Sequence, residues 1–288
     1  MTDGTASKAA DKASDAAGQA KDGAQDAAKN VQSSKAYQVL VKVGLTAYGI
    51  IHLLVAGLIV KLALGDSSGE TSNTGAIAEV AKAPGGEILL GVIGVGLYAL
   101  VVWQVIAAIV GFPEFEESKR LRKRISAVGR AVIYGALGTS AIMAAIKGAS
   151  SSGGGETEEE AAKGLFGLPG GVFLVGIAGL AVIGYGIYQG YRGVKAKFNE
   201  ELETELRGAG RAFATAGHIG KGAAFVAIGG LFVLAAIRHN PDEAGGMDQA
   251  LQALRGQPFG VVILFAIALG IGCFGIWCFY WAKHAKHA

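Results

Sequence analysis

Six long apolar runs dominate the chain, and charged residues lie almost entirely between them. The runs cover approximately 38–64, 87–111, 126–147, 170–192, 213–237 and 259–282. A helix needs about 20 consecutive apolar residues to cross the hydrocarbon core of a bilayer, which is about 30 Å thick. Each run is long enough to cross once, and none is long enough to cross twice. The pattern therefore predicts six transmembrane helices.

A short motif of proline, one variable residue and glycine precedes every second run. Its prolines are 85 and 89 residues apart, and an aromatic residue stands nineteen positions after each. The residues that define this repeat are Pro84, Pro169, Pro258, Trp103, Tyr188 and Trp277. A fixed period of this length indicates an internal repeat of two spans.

The runs that open each pair also align without gaps. One aligned position holds Tyr48, Arg130 and Lys221, and the position four residues later holds His52, Tyr134 and Phe225. Because every repeat has two spans, successive repeats enter the membrane in the same direction. The predicted fold is an all-α membrane protein of six transmembrane helices, built as three parallel two-helix repeats with pseudo-threefold symmetry.

The expected division of the chain follows these repeats: a tail at 1–36, then repeats within 37–112, 113–198 and 199–288. The second and third divisions begin with their connectors, and the last includes the carboxyl end. The tail has a single branched apolar residue, Val31. It buries too little apolar surface to offset its ordering entropy. We expect it to be disordered or loosely helical.

Short stretches with helical spacing precede the second, fourth and sixth spans. They are Ala76–Ala83, Glu158–Phe166 and Met247–Leu254. An amphipathic helix on the membrane surface fits this pattern, and an ordinary ordered loop is the alternative. The proline that follows each stretch suits the first turn of the next helix, where its missing N–H costs little.

Composition and the placement of charge narrow the class of protein. Hydrophobic residues make up 51% of the chain and charged residues 17%, which is too apolar for an ordinary soluble domain. The net charge of +3 is too small to favour nucleic acid as a partner. Two connectors carry five Lys or Arg residues each, within 119–124 and 192–211, whereas each acidic connector carries one. The positive-inside rule therefore places the basic connectors and both termini in the cytoplasm.

Small residues recur at helical spacing within the spans. Examples are Gly186/Gly190, Gly220/Ala224 and Ser140/Ala144. In a bilayer such pairs let two helix backbones approach closely. The spans are therefore expected to pack tightly against one another.

Polar groups inside a bilayer are costly, so each is a functional candidate. Arg130 and Lys221 lie about one turn inside their spans and suit either snorkelling and structural pairing or the binding of an anion. His52 lies deeper. It suits a hydrogen bond to a neighbouring helix, a proton relay or a cofactor. The remaining candidates are Tyr48, Tyr134, Gln104 and Gln189, the two glutamines as interhelical hydrogen-bonding groups.

Catalytic and metal-binding signatures are not found. The sequence has no Walker loop, nucleophile elbow, HExxH or CxxC. Its cysteines, Cys273 and Cys278, are five residues apart in one run and are expected to be lipid-facing or packing thiols. His218 does not match the depth of His52, so a pair of haem ligands is not indicated. We expect no catalytic residue, metal or cofactor.

Three repeats of this form resemble a bacterial membrane family known as domain of unknown function 1206. The resemblance covers roughly 38–282, and Arg130 and Lys221 match the basic position of its pattern, whereas Tyr48 departs from it. It implies a bacterial inner-membrane location and no activity.

The leading hypothesis for function is a non-enzymatic membrane protein that acts as a structural, partner-binding or lipid-interacting scaffold. Its expected partners are the lipid bilayer, an anionic lipid or another membrane protein. The alternative is a small-solute channel or transporter along the pseudo-threefold axis, lined by His52, Tyr134, Phe225, Arg130 and Lys221. A continuous polar cavity would favour transport, and a plugged, dry axis would favour scaffolding.

Overall fold

A computed structural model describes residues 34–66, 69–110, 117–148, 169–240 and 246–286, together with residues 164 and 166. Over these ranges the chain forms eight α-helices of more than eight residues. They are α1 (Lys35–Leu64), α2 (Asn73–Lys82), α3 (Gly86–Val110), α4 (Glu117–Lys147), α5 (Gly171–Val194), α6 (Gly208–Arg238), α7 (Met247–Arg255) and α8 (Gly260–His284). The described residues hold no β-strand, only one isolated bridge. Most of the tail expected at 1–36, namely residues 1–33, lies outside the described residues.

Six of these helices, α1, α3, α4, α5, α6 and α8, are long and apolar enough to cross a membrane. The predicted six spans are therefore confirmed, and the chain is a multi-pass membrane protein. One boundary differs, because α4 begins at Glu117, nine residues before the predicted start of the span. The added residues are rich in Lys, Arg and Leu, which are good helix formers. The helix thus continues through the basic stretch that precedes the span.

The spans form a ring that reflects the three repeats. The three most extensive helix pairs are α5 with α6, α3 with α4, and α8 with α1. In each, the second span of one repeat packs on the first span of the next. Within repeats, α1 packs on α3 and α6 on α8, but α4 and α5 barely touch. The ring therefore has one opening, inside the second repeat.

Glycines permit the closest crossings in the ring. A methyl group added at Gly220 would overlap the backbone of Gly270, so α6 and α8 meet there without side chains between them. Gly186 of α5 lies against the carbonyl oxygen of Gly222 of α6 in the same way. A methyl group added at Gly190 would meet nothing, but the backbone nitrogen of Gly190 also lies against Gly222. The expected close packing is therefore present at the Gly186/Gly190 pair.

The short helices α2 and α7 lie at the end of the bundle away from the basic connectors. Ile77 of α2 and Leu251 of α7 are buried, so their apolar faces pack on the bundle. Asp248 accepts hydrogen bonds from the backbone N–H and the hydroxyl of Thr71 at 2.7 and 2.6 Å, which links the first and third repeats. Two of the three predicted short helices are therefore present. The third, at 158–166, lies outside the described residues except for 164 and 166.

The proline of the repeated motif does not lie in the first helical turn, contrary to prediction. It precedes the helix by two residues, and the residue between them adopts a left-handed conformation: φ is +74° at Gly85, +78° at Gly170 and +62° at Phe259. The glycine that follows begins the helix. A methyl group at Gly86 or Gly260 would overlap a carbonyl oxygen of the preceding helix. The motif is thus a tight turn between the short helix and the span.

At the other end, the α5–α6 connector (195–207) folds back under the bundle. It contains a 3-10 helix, Lys197–Glu201, and buries Phe198 and Leu202 completely. Leu202 forms a bridge with Ala285, and the N–H of Glu203 donates to the carbonyl of His284 at 2.8 Å. The connector is therefore tied to the carboxyl end of α8. This fold directs Glu201 towards the spans.

Both cysteines are buried in the bundle. Cys273 has 6% of its surface exposed and Cys278 has none. Of the two roles expected for them, packing agrees with their position. They do not face lipid.

Candidate functional site

The aligned positions of the three repeats meet inside the bundle. Tyr48, Arg130 and Lys221 are each the thirteenth residue after the first residue of their helices, α1, α4 and α6. The ammonium of Lys221 donates to the Tyr48 hydroxyl at 2.7 Å, across 173 residues of sequence. Two of the three equivalent side chains therefore make direct contact.

Lys221 is surrounded by neutral groups. The Nδ1 of His52 lies 2.8 Å from the carbonyl oxygen of Tyr48, and a carbonyl only accepts, so Nδ1 carries the proton and donates. The Nε2 lone pair of His52 then faces the Lys221 ammonium at 3.5 Å. The ring of Phe274 lies 4.0 Å from the same nitrogen, a cation–π distance. The amine of Lys221 is thus in contact with a hydroxyl, an imidazole and an aromatic ring inside the bundle.

Arg130 also points inwards. Its Nε donates to the side-chain oxygen of Gln104 at 3.1 Å, and its Nη1 lies 3.5 Å from the carboxylate of Glu201. Gln104 is almost completely buried. Arg130 and Lys221 thus both make pairing contacts within the protein, Arg130 with Gln104 and Glu201 and Lys221 with Tyr48.

Glu201 joins two arginines. Arg192, in the last turn of α5, forms an ion pair with it at 2.6 Å, and Arg130 of α4 contacts its other oxygen. Burial alone would raise the pKa of the Glu201 carboxyl, but the nearby charges of Arg192 and Arg130 outweigh it and hold that pKa below its usual range. The carboxylate is thus charged at neutral pH and bridges the two helices of the second repeat.

The charges of this cluster do not balance. We call Arg130, Arg192, Lys221 and Glu201 the cation cluster. In the part of the chain that the structure describes, Glu201 is the one carboxylate that pairs with the cluster, and its partners are Arg130 and Arg192. Cations without counter-charges are costly in a medium of low dielectric constant. An anion entering the cluster would offset that cost.

Aromatic side chains fill the centre beside the cluster. The ring of Tyr48 lies 5.2 Å from that of Tyr134 and 4.2 Å from that of His52, both edge to face. The ring of Phe274 lies 4.9 Å from that of His52. His52, Tyr48 and Tyr134 are all buried. His52 and Tyr134, two of the residues predicted to line the axis, therefore both pack on the ring of Tyr48.

Other sequence candidates lie elsewhere. Phe225 packs edge to face on Tyr185 at 4.9 Å instead of joining His52 and Tyr134 on the axis. Gln189 is buried on the face of α5 that meets Gly222 of α6. His218 is fully buried and lies 5.3 Å from Phe198, ring to ring. These residues contribute to packing between helices outside the cation cluster.

The aromatic residues that define the repeat are not equivalent in space. Trp277 is buried and stacks on Trp281 at 4.8 Å, and Trp103 contacts the same partner at 5.5 Å. Tyr188 of the second repeat is half exposed. The second repeat therefore lacks the aromatic stack that the first and third share.

Sequence reasoning did not find Glu201, Arg192, Tyr185 or Phe274 as site residues. Arg192 was counted only as a connector charge that sets orientation, and Glu201 lies outside every span. Its approach to the bundle depends on the fold of the α5–α6 connector. A usable signal was the acidic pair Glu200–Glu201 so close to the end of a span in an otherwise basic region.

Among the described residues, no three His, Cys, Asp or Glu side chains form a group able to hold a metal ion. The donors of the cluster are guanidinium and ammonium groups, which bind anions.

Comparison with known proteins agrees with the repeat. The family described as Domain of Unknown Function (DUF1206) matches this chain three times, at residues 43–111, 125–196 and 216–285. The chain therefore belongs to that family. It is also similar to YxxB of Bacillus subtilis (strain 168), described as an uncharacterized protein, with 30% identity over 246 residues that cover 82% of this chain and 86% of the relative. No solved structure matches the chain.

Proposed function

We propose that this protein is a non-enzymatic scaffold of the bacterial inner membrane that binds an anionic lipid headgroup through the cation cluster. The observation that carries the proposal is that Arg130 and Arg192, from two different spans, pair with one carboxylate, while Lys221 of a third span contacts Tyr48 inside the bundle. Phosphate oxygens are strong acceptors for guanidinium and ammonium groups. No cofactor or catalytic step is assigned.

The level of the cluster supports a headgroup as the ligand. Arg192 lies in the last turn of its span, beside the basic connectors. Under the positive-inside orientation, with both termini in the cytoplasm, this level is the headgroup region of the cytoplasmic leaflet. The side chain of Arg130 is 27% exposed and that of Glu201 is 24% exposed, so the cluster is accessible to a ligand.

The packed rings of Tyr48, His52, Tyr134 and Phe274 favour a scaffold over a conducting path. They occupy the place where an axial pathway would run. The transport alternative is therefore kept only as an outcome of the test. Solute flux in liposomes that disappears on His52→Ala would support it.

The test compares lipid binding by the purified full-length protein and its variants. The triple variant Arg130→Gln, Arg192→Gln, Glu201→Gln removes both arginines and leaves no buried carboxylate unpaired. We expect native mass spectrometry to show at least roughly tenfold weaker binding of phosphatidylglycerol, because charge-assisted hydrogen bonds are lost. Phosphatidylcholine serves as the neutral comparison.

The matched control is Arg207→Gln, which removes a charge at the same end from a side chain that is 86% exposed. It should bind phosphatidylglycerol as the unmodified protein does. Equal loss in the control and the triple variant would overturn the proposal, since it would indicate a general surface-charge effect. So would unchanged binding in the triple variant.

A further inference from the structure

The opening between α4 and α5 exposes a stripe on one face of α5. Its members are spaced three, four or seven residues apart and so share a face. They are Leu174, Ala178, Ala181, Tyr185 and Arg192. Leu174 and Tyr185 are 46% and 43% exposed, and the two alanines are also exposed. Helix α6 packs mainly on a different face, through Gly179 and Gly186, and touches the stripe where Phe225 meets the ring of Tyr185.

The stripe faces α4. Its lowest member, Arg192, pairs with Glu201, which also contacts Arg130 of α4. On α4, Ile133 is half exposed and lies about 140° around the helix from Gly138, which contacts α3. The stripe and the Ile133 side of α4 therefore form the two walls of a groove. We call it the α4–α5 groove.

We propose that the α4–α5 groove holds an acyl chain of the anionic phospholipid whose headgroup phosphate binds Arg130 and Arg192. This proposal rests on the function proposed above and names how the lipid reaches the cluster. The groove has an apolar upper part, formed by Leu174, Ala178 and Ala181, and it ends at the excess positive charge. The acyl chain would thus fill the opening between α4 and α5 in the ring of helices.

Charge complementarity selects this occupant. A neutral lipid fits the apolar wall but leaves the excess positive charge of the cluster unbalanced. A free phosphate ion fits the cations but leaves the groove empty. A second copy of the chain would bring an apolar helix without an anion. An anionic phospholipid has both parts in one molecule, in the order in which the groove presents them.

The experiment fills the groove without touching the cluster. Ala178→Trp places a large side chain in the stripe, and Leu180→Trp places the same side chain about 160° away around the helix, where Leu180 is 61% exposed. Delipidated full-length protein is titrated with phosphatidylglycerol in mixed micelles and observed by native mass spectrometry. We expect Ala178→Trp to weaken binding roughly tenfold or more and Leu180→Trp to leave it unchanged. Ala181→Trp, one turn further along the stripe, should reproduce the loss.

A second arm separates the two sources of phosphate. Inorganic phosphate and glycerol phosphate have no acyl chain, so Ala178→Trp should not alter their binding. If inorganic phosphate binds as tightly as phosphatidylglycerol, the groove plays no part and the inference fails. It also fails if Ala178→Trp binds phosphatidylglycerol like the unmodified chain while the cluster variant does not. In that case the proposed function stands.

A third arm tests occupation by a second copy. Ala181→Cys in native membranes should give little intermolecular disulfide after oxidation. Efficient cross-linking through this position would show that another copy covers the groove and would overturn the inference.

Discussion

The two sides of the ring differ although the repeats that build them are similar. Helices α1 and α8 bury 56% of their most apolar segment inside the protein, whereas α4 and α5 bury 28% and 22%. On the closed side, α1, α3, α6 and α8 pack within and between repeats. On the open side, α4 packs closely on one neighbouring span, α3, and α5 packs closely on one, α6. The second repeat thus keeps the covalent pattern of the others but not their packing.

The two sides also differ in the charges that they carry. Counted from the repeated proline, the position of Arg192 is occupied by Ala107 in the first repeat and Trp281 in the third. Of the three repeats, the second is therefore the one with a cation at both aligned positions, Arg130 and Arg192, and both pair with Glu201. Like charges in a low-dielectric medium oppose closure. Glu201, supplied by the connector, joins the two helices only at one end.

The connector that supplies Glu201 should contribute most to stability. Phe198 is completely buried and lies against His218 and Trp277 of the closed side. Phe198→Ala should destabilise the protein by about 3–5 kcal/mol, the usual cost of a large core cavity. The measurement is thermal unfolding in detergent, with hydrogen exchange over residues 197–207. An unchanged midpoint and unchanged exchange would show that the connector does not hold the open side to the closed side.

The closed side should tolerate a methyl group less well than the open side. Gly220→Ala would overlap the Gly270 backbone, so we expect a cost of about 1–3 kcal/mol. Gly184→Ala on α5, where no atom lies within 4 Å, is the matched control and should be neutral or slightly stabilising. Thermal midpoints of the two variants measured side by side decide the matter. Equal loss in both would contradict the assigned packing.

The smallest effect should be a dependence of stability on pH that comes from Glu201. Its pKa is lower in the folded protein than in the unfolded chain, where a Glu titrates near about 4.3. Its contribution is therefore complete above the unfolded pKa and is lost as the pH falls through the folded value. As the pH falls from about 6 to below the unfolded pKa of about 4.3, the unmodified protein should therefore lose more stability than Glu201→Gln.

Glu203→Gln, an exposed neighbour in the same connector, is the control for this measurement and should follow the unmodified protein. If stability changed with pH in the same way for Glu201→Gln and the unmodified protein, that result would contradict the bridging role of the carboxylate. If Glu201 also competes with the lipid phosphate, Glu201→Gln should bind phosphatidylglycerol several-fold more tightly, since one negative charge leaves the site.

Part of the site was predictable from the sequence, and the reason is periodicity. The gap-free alignment of the odd-numbered spans placed Tyr48, Arg130 and Lys221 at one level, and Lys221 does contact Tyr48. Phe225 was expected on the axis by the same logic. It lies at the α5–α6 contact because an aromatic ring packs wherever a neighbouring ring is available, here Tyr185. The alignment specifies depth along a helix, but not which neighbour fills the space.

The sequence by itself determined the six spans, the three parallel repeats and the depth of the intramembrane cations, because these depend on local hydropathy and on a fixed repeat. The tertiary structure alone decided that the second repeat stays open, that the motif proline precedes its helix in a left-handed turn, and that Glu201 enters the cation cluster. Those features depend on the balance of charges and on close approaches between residues far apart in the chain. A local sequence pattern does not predict such contacts, because each contact depends on the positions of the other helices.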